Sequence, residues 1–446
     1  MLQSNIHQQF WRYSIPSVVA MVVNGIYLIV DGMFIGQVLG ASGLAAINLV
    51  WPLIFVVSGF GLMVGVGAGS LISIACGQGE QRRAQQLLSH ALLMLLLLAA
   101  VICSVLAVLG ISPITLQGAE AEITRMGEHY LSIMGQGSLI VLGSTALPIL
   151  IRNDHSPNLA TLLMILGALT NILLDYLLIV CFDWGLAGAA YATLGAQALV
   201  ITLALAYFLS DLSELHFQWR GFVLQPRELV RITNLGFSSF LTALYTAFIT
   251  VVHNWLFLRY GTVTETGAYA IVLYLSVIYY FIAEGFANGM QPLLSYNYGA
   301  QRYHNMLKIM QLGFSIIIGS GLLAVLLMNL FSELSVGIFN QDDPALRQAT
   351  VAGIRLHLWA MPLDGLIFTS AMVYQAINKA NRANLISLAN MVIQLPFMLL
   401  LPTSFGVTGI WLIMPLSTAL LSLPIAYGLY QLLVRLKQAA SSALLQ

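Results

Sequence analysis

Long apolar runs, interrupted by short charged segments, dominate the pattern of the chain. No Asp, Glu, Lys or Arg occurs in residues 32–79 or in residues 383–434. A helix needs roughly 20 apolar residues to cross the hydrocarbon layer of a bilayer. Each stretch is therefore long enough for two membrane-spanning helices, joined by a tight turn at Gly40–Gly43 in the first and near Pro402–Gly406 in the second.

The same spacing predicts an all-α polytopic membrane protein with about twelve spans, although eleven or thirteen also fit the pattern. The predicted spans are residues 9–37, 44–76, 87–110, 125–150, 157–182, 186–210, 230–258, 266–296, 306–331, 347–376, 383–402 and 407–434.

Composition supports lipid as the solvent of this chain. Hydrophobic residues make up 59% of it and charged residues 8%, and the mean hydropathy is +0.88. Soluble domains carry about 25% charged residues. The formal net charge of zero gives no electrostatic basis for binding nucleic acid.

Loop charges test the predicted spans independently, because cytoplasmic loops are enriched in Lys and Arg. With a cytoplasmic N-terminus, all of the 17 Lys and Arg residues lie on the cytoplasmic side except Arg125, Arg259, Arg347 and Arg355. We expect both termini to be cytoplasmic. The first dozen residues contain no cleavable signal, and a multi-pass protein of the bacterial inner membrane is predicted.

The two halves of the chain resemble each other at an offset near 220 residues. Gly65 and Gly69 align with Gly285 and Gly289, and Asn171 aligns with Asn390. Six crossings per half give both halves the same orientation, which is typical of transporters that work by alternating access. The sequence predicts an N-terminal six-helix bundle (residues 1–215) and a C-terminal one (residues 216–446), joined by a cytoplasmic connector (residues 211–231).

Acidic residues inside the predicted spans are the strongest candidates for function, because a charge at the bilayer centre costs about 2.5–3.5 kcal/mol. Away from the ends of the spans, these acids are Asp31, Asp175, Glu284 and Asp364. Each could also serve a purely structural role. For Glu284 and Asp364 the structural role is preferred, with Arg355 as a possible partner of Asp364, and His253 is expected to be a satisfied interior histidine.

Polar residues accompany the first two acids at helical spacing. Asn24, Tyr27 and Asp31 share one face of the first helix, and Pro16 can bend that helix by removing a backbone hydrogen bond. Asn171 and Asp175 lie four residues apart in the fifth helix, and the sixth contains Thr193. If these helices meet, their oxygens form a pocket that takes up a proton or a small hard cation. We therefore predict an ion-coupling site.

Several longer motifs resemble those of one transporter family. They are Val-Asp-Gly-Met-Phe-Ile-Gly at residues 30–36, Arg-Asn-Asp at 152–154, Asn-Ile-Leu-Leu-Asp at 171–175 and Gln-Pro-Leu-Leu-Ser-Tyr-Asn at 291–297. Over nearly its full length the chain resembles the multidrug and toxic compound extrusion (MATE) transporters, and in particular the branch of the DNA-damage-inducible F proteins.

The resemblance implies export of diverse lipophilic, often cationic compounds, driven by protons or sodium ions. It places the cation site, including any sodium ion, at Asp31, Asn171, Asp175 and Thr193, with Asn24 and Tyr130 nearby and Pro16 as the bending proline. It implies no cofactor besides the coupling ion, H⁺ or Na⁺. His155 departs from the family pattern, which has glycine there.

Other functions fit the sequence less well. A flippase for lipid-linked saccharides would need several Lys or Arg in its spans to hold an anionic headgroup, and away from the span ends only Arg355 is available. A channel fits isolated buried acids in a duplicated bundle less well than a transporter does. The chain has no motif of a metalloprotease or a serine hydrolase, so an enzyme is not expected. One chain supplies both halves, which favours a functional monomer with small molecules and lipid as its partners.

Overall fold

The computed structural model describes residues 5–109, 121–216, 223–337 and 344–443, which form helices and short turns without a strand. The helices in the first half are α1 (Ile6–Gly40), α2 (Ser42–Gln78), α3 (Gln81–Leu109), α4 (Ala121–Gln136 and Ser138–Asn153), α5 (Pro157–Asp175, continued by a π-helix at Tyr176–Cys181) and α6 (Gly185–Leu209).

The second half repeats this order. Its helices are α7 (Pro226–Tyr260), α8 (Val263–Gly299), α9 (Tyr303–Leu330), a short helix (Ser332–Gly337), α10 (Pro344–His357 and Ala360–Ala376), α11 (Ala380–Val392, extended to residue 405) and α12 (residues 407–443).

The described residues confirm the predicted all-helical membrane fold. Among these residues, nine helices are long and apolar enough to cross a membrane. The two bent helix pairs of α4 (61°) and α10 (47°) add two further spans when each pair is counted as one, which gives eleven. The longest run, Ala380–Ser442, has 63 residues, and Gly406 interrupts it with a φ of 57° and a ψ of −136°. This break separates α11 from α12 and adds the twelfth span.

Glycine permits two sharp reversals of the chain. Gly40 has a φ of 64° and Gly406 a φ of 57°, in a region that residues with a Cβ rarely adopt. Both reversals lie where the charge-free stretches predicted turns.

The described chain forms two compact units. One comprises Val19–Ala247, and the other Met1–Val18 with Phe248–Gln446. The start of α1 thus belongs to the same unit as most of the second half of the chain. It packs so closely against α8 that a Cβ atom added at Gly289 would lie only 2.6 Å from Ser14 Cα. The predicted bundles, 1–215 and 216–446, divide the chain by its repeat and not by these contacts. Residues 217–222 of the predicted connector lie outside the described residues.

The backbone repeats between the units as the sequence does. Gly188, at the start of α6, packs against the carbonyl oxygen of Leu178, and Gly409, at the start of α12, packs against that of Leu401. In each half, the last helix is therefore positioned by the same close contact between a glycine and a preceding carbonyl group.

Candidate functional site

Asp31 and Asp175 come together in the unit Val19–Ala247. Asp31 lies on α1 and is 4% exposed, and Asp175 ends the α-helical part of α5 and is fully buried. Their carboxyl groups lie close enough to interact electrostatically with each other. The structure thus brings together two of the four acids that the cost of burying a charge identified as candidates.

Polar side chains from the neighbouring helices surround this carboxyl pair. The hydroxyl groups of Tyr27 and Tyr130 lie within electrostatic range of both carboxyls. Thr193 on α6 is within reach of the Tyr130 hydroxyl. Its Oγ1 also accepts a hydrogen bond of 3.5 Å from Asn171 Nδ2.

The oxygens of this cluster outnumber its donors. Among the described residues, four buried oxygens of this cluster have no hydrogen-bond partner: Oδ1 of Asp31, Oδ1 of Asn171 and both carboxyl oxygens of Asp175. The ion pairs of the described chain include neither acid. Buried polar atoms are nearly always paired, and such a set of oxygens suits a proton or a hard cation.

A π-helix follows directly after Asp175 and was not predicted. It spans Tyr176–Cys181, and the amide of Phe182 closes it by donating to Leu177 O, five residues back, at 2.9 Å. The insertion changes the register of α5 just beyond the carboxyl pair, and Ile179 within it is fully buried. Such segments often occur at functional sites. The apolar run of α5 gives no sign of it.

The remaining predicted residues of α1 lie along the same helix. Asn24 is half-buried, on the face that bears Asp31. Pro16 is also half-buried, and α1 continues through it, since only Gly40 departs from helical φ and ψ. In this structure α1 is therefore not broken at Pro16.

The acids of the second half have different surroundings. Asp364 on α10 is 9% exposed and is faced by Tyr280 and Asn390, while Glu284 on α8 is half-buried. Arg355 is exposed, and no ion pair between it and Asp364 occurs among the described residues.

The second half of the sequence repeat lacks a carboxylate at the position equivalent to Asp175. The sequence offset that aligns Asn171 with Asn390 also aligns Asp175 with Gln394. Gln394 is fully buried. The second half thus keeps the asparagine but has an amide in place of the carboxylate.

The Arg-Asn-Asp motif forms a polar cluster between α4 and α5. Oδ2 of Asp154 accepts hydrogen bonds from the hydroxyls of Tyr207 (2.8 Å) and Ser213 (2.6 Å). Burial raises the pKa of Asp154, and these hydrogen bonds oppose that rise in part. The next residue, His155, has a φ of 64°, a backbone conformation that glycine adopts more readily than histidine does.

The residue types that most often bind metals do not cluster in the part of the chain that the structure describes. Among the described residues, no group of three or more His, Cys, Asp or Glu side chains is close enough to hold a metal ion. Any ion at the carboxyl pair would therefore be held by two carboxyls together with neutral oxygens.

Known proteins resemble this chain over almost its whole length. The sequence pattern of the family described as MatE matches residues 16–177 and 235–400. The multidrug export protein MepA of Staphylococcus saprophyticus is 25% identical over 412 residues, covering 92% of this chain and 90% of that protein.

Solved structures share the fold. An outward-facing multidrug resistance MATE family transporter of the MOP superfamily superposes with a TM-score of 0.90 at 20% identity, over 98% of both chains. A MOP superfamily transporter from Pyrococcus furiosus, whose binding pocket of reverse polarity suggests a different function, superposes with a TM-score of 0.89 at 20% identity, again over 98% of both. Since the family pattern covers well over half of the residues and falls in both halves, the chain belongs to the MatE family of membrane transporters.

Proposed function

We propose that this protein is a cation-coupled antiporter, driven by protons or sodium ions, that exports diverse lipophilic and often cationic compounds by alternating access. Similar proteins are named multidrug export proteins, and this supports the proposed class of substrates. The observation that carries the coupling is the buried pair Asp31–Asp175, whose oxygens have neither a basic partner nor enough donors among the described residues.

Electrostatics makes this pair a site that loads and unloads positive charge. Two carboxylates in a medium of low dielectric constant repel each other, and each loses its hydration. A proton shared between them, or a cation bound to both, removes the repulsion. The ion enters when the site opens to the outside, where its electrochemical potential is higher, and leaves when the site opens to the cytoplasm.

The cycle uses this occupancy to drive export. With the pathway open to the cytoplasm the pair is free of its ion and the substrate binds. The transporter then opens outward and releases the substrate. An ion from outside neutralises the pair, α1 rearranges near Pro16, and the protein returns. The ion drives this step only because it binds the two conformations with different affinities.

The same proposal sets the protein in its membrane. It is a multi-pass protein of the bacterial inner membrane with both termini in the cytoplasm, as the distribution of Lys and Arg favours. It works as a monomer, because one chain contains both repeats.

Substitution of the pair tests the coupling. Asp31→Asn and Asp175→Asn keep the size of each side chain and remove its charge, and each is expected to lower gradient-driven efflux at least tenfold, because the site no longer exchanges an ion. Efflux of tetraphenylphosphonium is measured from proteoliposomes with proton and sodium gradients imposed separately, which also identifies the coupling ion.

The matched control is Asp183→Asn. Asp183 is exposed and lies eight residues beyond Asp175, so its substitution removes a carboxylate from the same region without touching the pair. Efflux that stays at the unsubstituted level in both pair variants would eliminate the proposed site.

A further inference from the structure

A cavity of about 550 Å³ opens at the start of α3, within the unit Val19–Ala247. Its wall combines the turn before α3, one face of α3 and the end of the connector where α7 begins. The distribution of Lys and Arg predicts the cytoplasmic side for this end of α3. None of the lining residues belongs to the carboxyl pair or its surroundings, so the cavity is a separate candidate binding site.

The face of α3 that lines the cavity changes from charged to apolar along its length. Arg82, Gln86 and His90 follow one another on this face at four-residue spacing, and Leu87 lies beside them. From Arg82 to His90 the helix rises about 12 Å. The predicted span begins at residue 87. The cavity therefore reaches from a charged rim to the apolar part of the helix.

The acids at the rim are already neutralised by arginines. Arg83 Nη1 lies 3.0 Å from Glu80 Oε2, and Arg83 Nη2 lies 3.5 Å from Glu228 Oε1. On α7, Arg231 Nη1 contacts both carboxyl oxygens of Glu228, at 3.0 and 3.2 Å. Two arginines thus share two glutamates, and these four side chains together carry no net charge.

Arg82 is the cation in excess at this rim. It lines the cavity and is exposed, and no ion pair of Arg82 occurs among the described residues. A guanidinium binds a phosphate group through two parallel N–H···O bonds. Gln86, one turn further along α3, is also exposed, and its amide can donate to a neighbouring oxygen. The rim therefore suits an anionic oxygen group with a single charge.

His90 shapes the cavity without supplying charge. Its Nδ1 lies 2.7 Å from Gln86 O, and its Nε2 accepts a hydrogen bond of 3.0 Å from the backbone amide of Gln225. Because one nitrogen donates and the other accepts, the ring is neutral. The same two bonds hold the end of the connector against α3, so the opposite walls of the cavity are tied together.

The change from charged to apolar surface matches a phospholipid. The phosphodiester of a headgroup can lie at Arg82, and an acyl chain can follow the helix inward, where Leu93 is half-buried and Leu97 is 51% exposed on the same face. A soluble phosphate compound would use the rim alone and leave this apolar stripe uncovered. Anionic lipids are abundant in the cytoplasmic leaflet, and basic pockets between helices bind their headgroups.

We propose that this cavity binds the headgroup of an anionic phospholipid, with Arg82 on the phosphodiester, Gln86 on an adjoining oxygen and an acyl chain along α3. Gln225 and Glu228 line the opposite wall. An occupant of the cavity therefore contacts both α3 and the start of α7, and it strengthens the attachment of the connector.

Native mass spectrometry measures this binding without transport. Full-length protein in detergent is mixed with palmitoyl-oleoyl phosphatidylglycerol, or with the phosphatidylcholine that has the same chains and a cationic group that would meet the excess positive charge. We expect phosphatidylglycerol to be retained about fivefold more, as for one Arg near an anionic group. Arg82→Gln should remove this preference. Arg302→Gln, at the position of the second half that aligns with Arg82, should keep it.

Further arms keep the outcomes distinct. Gln86→Glu places a negative charge one turn inside the cavity at an exposed position, and it should also lower phosphatidylglycerol retention, even if Arg82→Gln protein fails to fold. Glycerophosphoglycerol, which is the headgroup without its chains, should not displace the lipid at equal concentration. Displacement would assign the cavity to a soluble phosphodiester and overturn the lipid as its occupant. Equal retention of the two lipids by the unsubstituted protein, or of phosphatidylglycerol by the unsubstituted and Arg82→Gln proteins, would overturn the proposal as well.

Discussion

At the residue scale, the sequence identifies the acids but not their surroundings. Asp31 and Asp175 stand out because charge is expensive in apolar helices, and the structure brings them together. The place of Tyr130 beside them follows only from the family resemblance. His253 was expected to be a satisfied interior histidine, but only its Nδ1 has a partner, Ile249 O, while its Nε2 has none among the described residues. No spacing rule predicts that contact.

Asp154 yields a prediction on stability against pH. Its ordinary pKa of 3.8 is raised in the folded protein, chiefly by burial. The folded state therefore holds this proton more tightly than the unfolded state does. The contribution of Asp154 to stability is complete below the ordinary value and is lost as the pH rises through the raised value.

Asp154→Asn should remove this dependence, because the amide keeps an acceptor for Tyr207 and Ser213 but cannot ionise. From pH 4 to pH 7, thermal unfolding in detergent should show the variant gaining stability relative to the unsubstituted protein. Asp211→Asn, an exposed control, should track the unsubstituted protein. A constant difference between the first two proteins across this range would contradict the account.

At the element scale, apolar length and glycine position predict most of the architecture. The turns at Gly40 and Gly406 lie where the charge-free stretches are too long for one crossing. The π-helix after Asp175 and the bends in α4 and α10 were not predicted, because each depends on packing between helices and not on local composition. The packing of α1 on α8 is of the same kind, and so sequence alone did not divide the chain into its compact units.

Close helix packing at Gly236 gives a prediction for an element. A Cβ on this residue of α7 would collide with the carbonyl of Met63 on α2. Gly236→Ala should therefore lower the free energy of unfolding by about 1–3 kcal/mol, as overpacking does, and a lower thermal midpoint in detergent would show it.

Gly319→Ala is the matched control on α9. Gly319 is exposed, and a Cβ there meets nothing within 4 Å. In the open interior of a helix, alanine should stabilise by about 0.5–1 kcal/mol relative to glycine. Equal midpoints for the two variants would show that the α2–α7 contact is not tight.

At the scale of the whole molecule, the family match establishes a membrane transporter, but the fold alone does not identify its substrate or its coupling ion. A transporter with nearly the same fold has a binding pocket of reverse polarity that suggests a different function. Function must therefore be argued from side chains. Here the carboxyl pair favours the uptake of positive charge, and an exposed Arg355 is a poor anchor for the anionic headgroup of a flipped lipid.

Ion release on substrate binding tests the central claim most directly. If the pair must be free of its ion when substrate binds, adding tetraphenylphosphonium to purified protein should release protons into a weakly buffered solution, or sodium ions if sodium is the coupling ion. A pH-indicator dye and a sodium-selective electrode measure the two. We predict release from the unsubstituted protein and from Asp183→Asn, and none from the double variant Asp31→Asn/Asp175→Asn. Equal release from all three proteins would contradict the account.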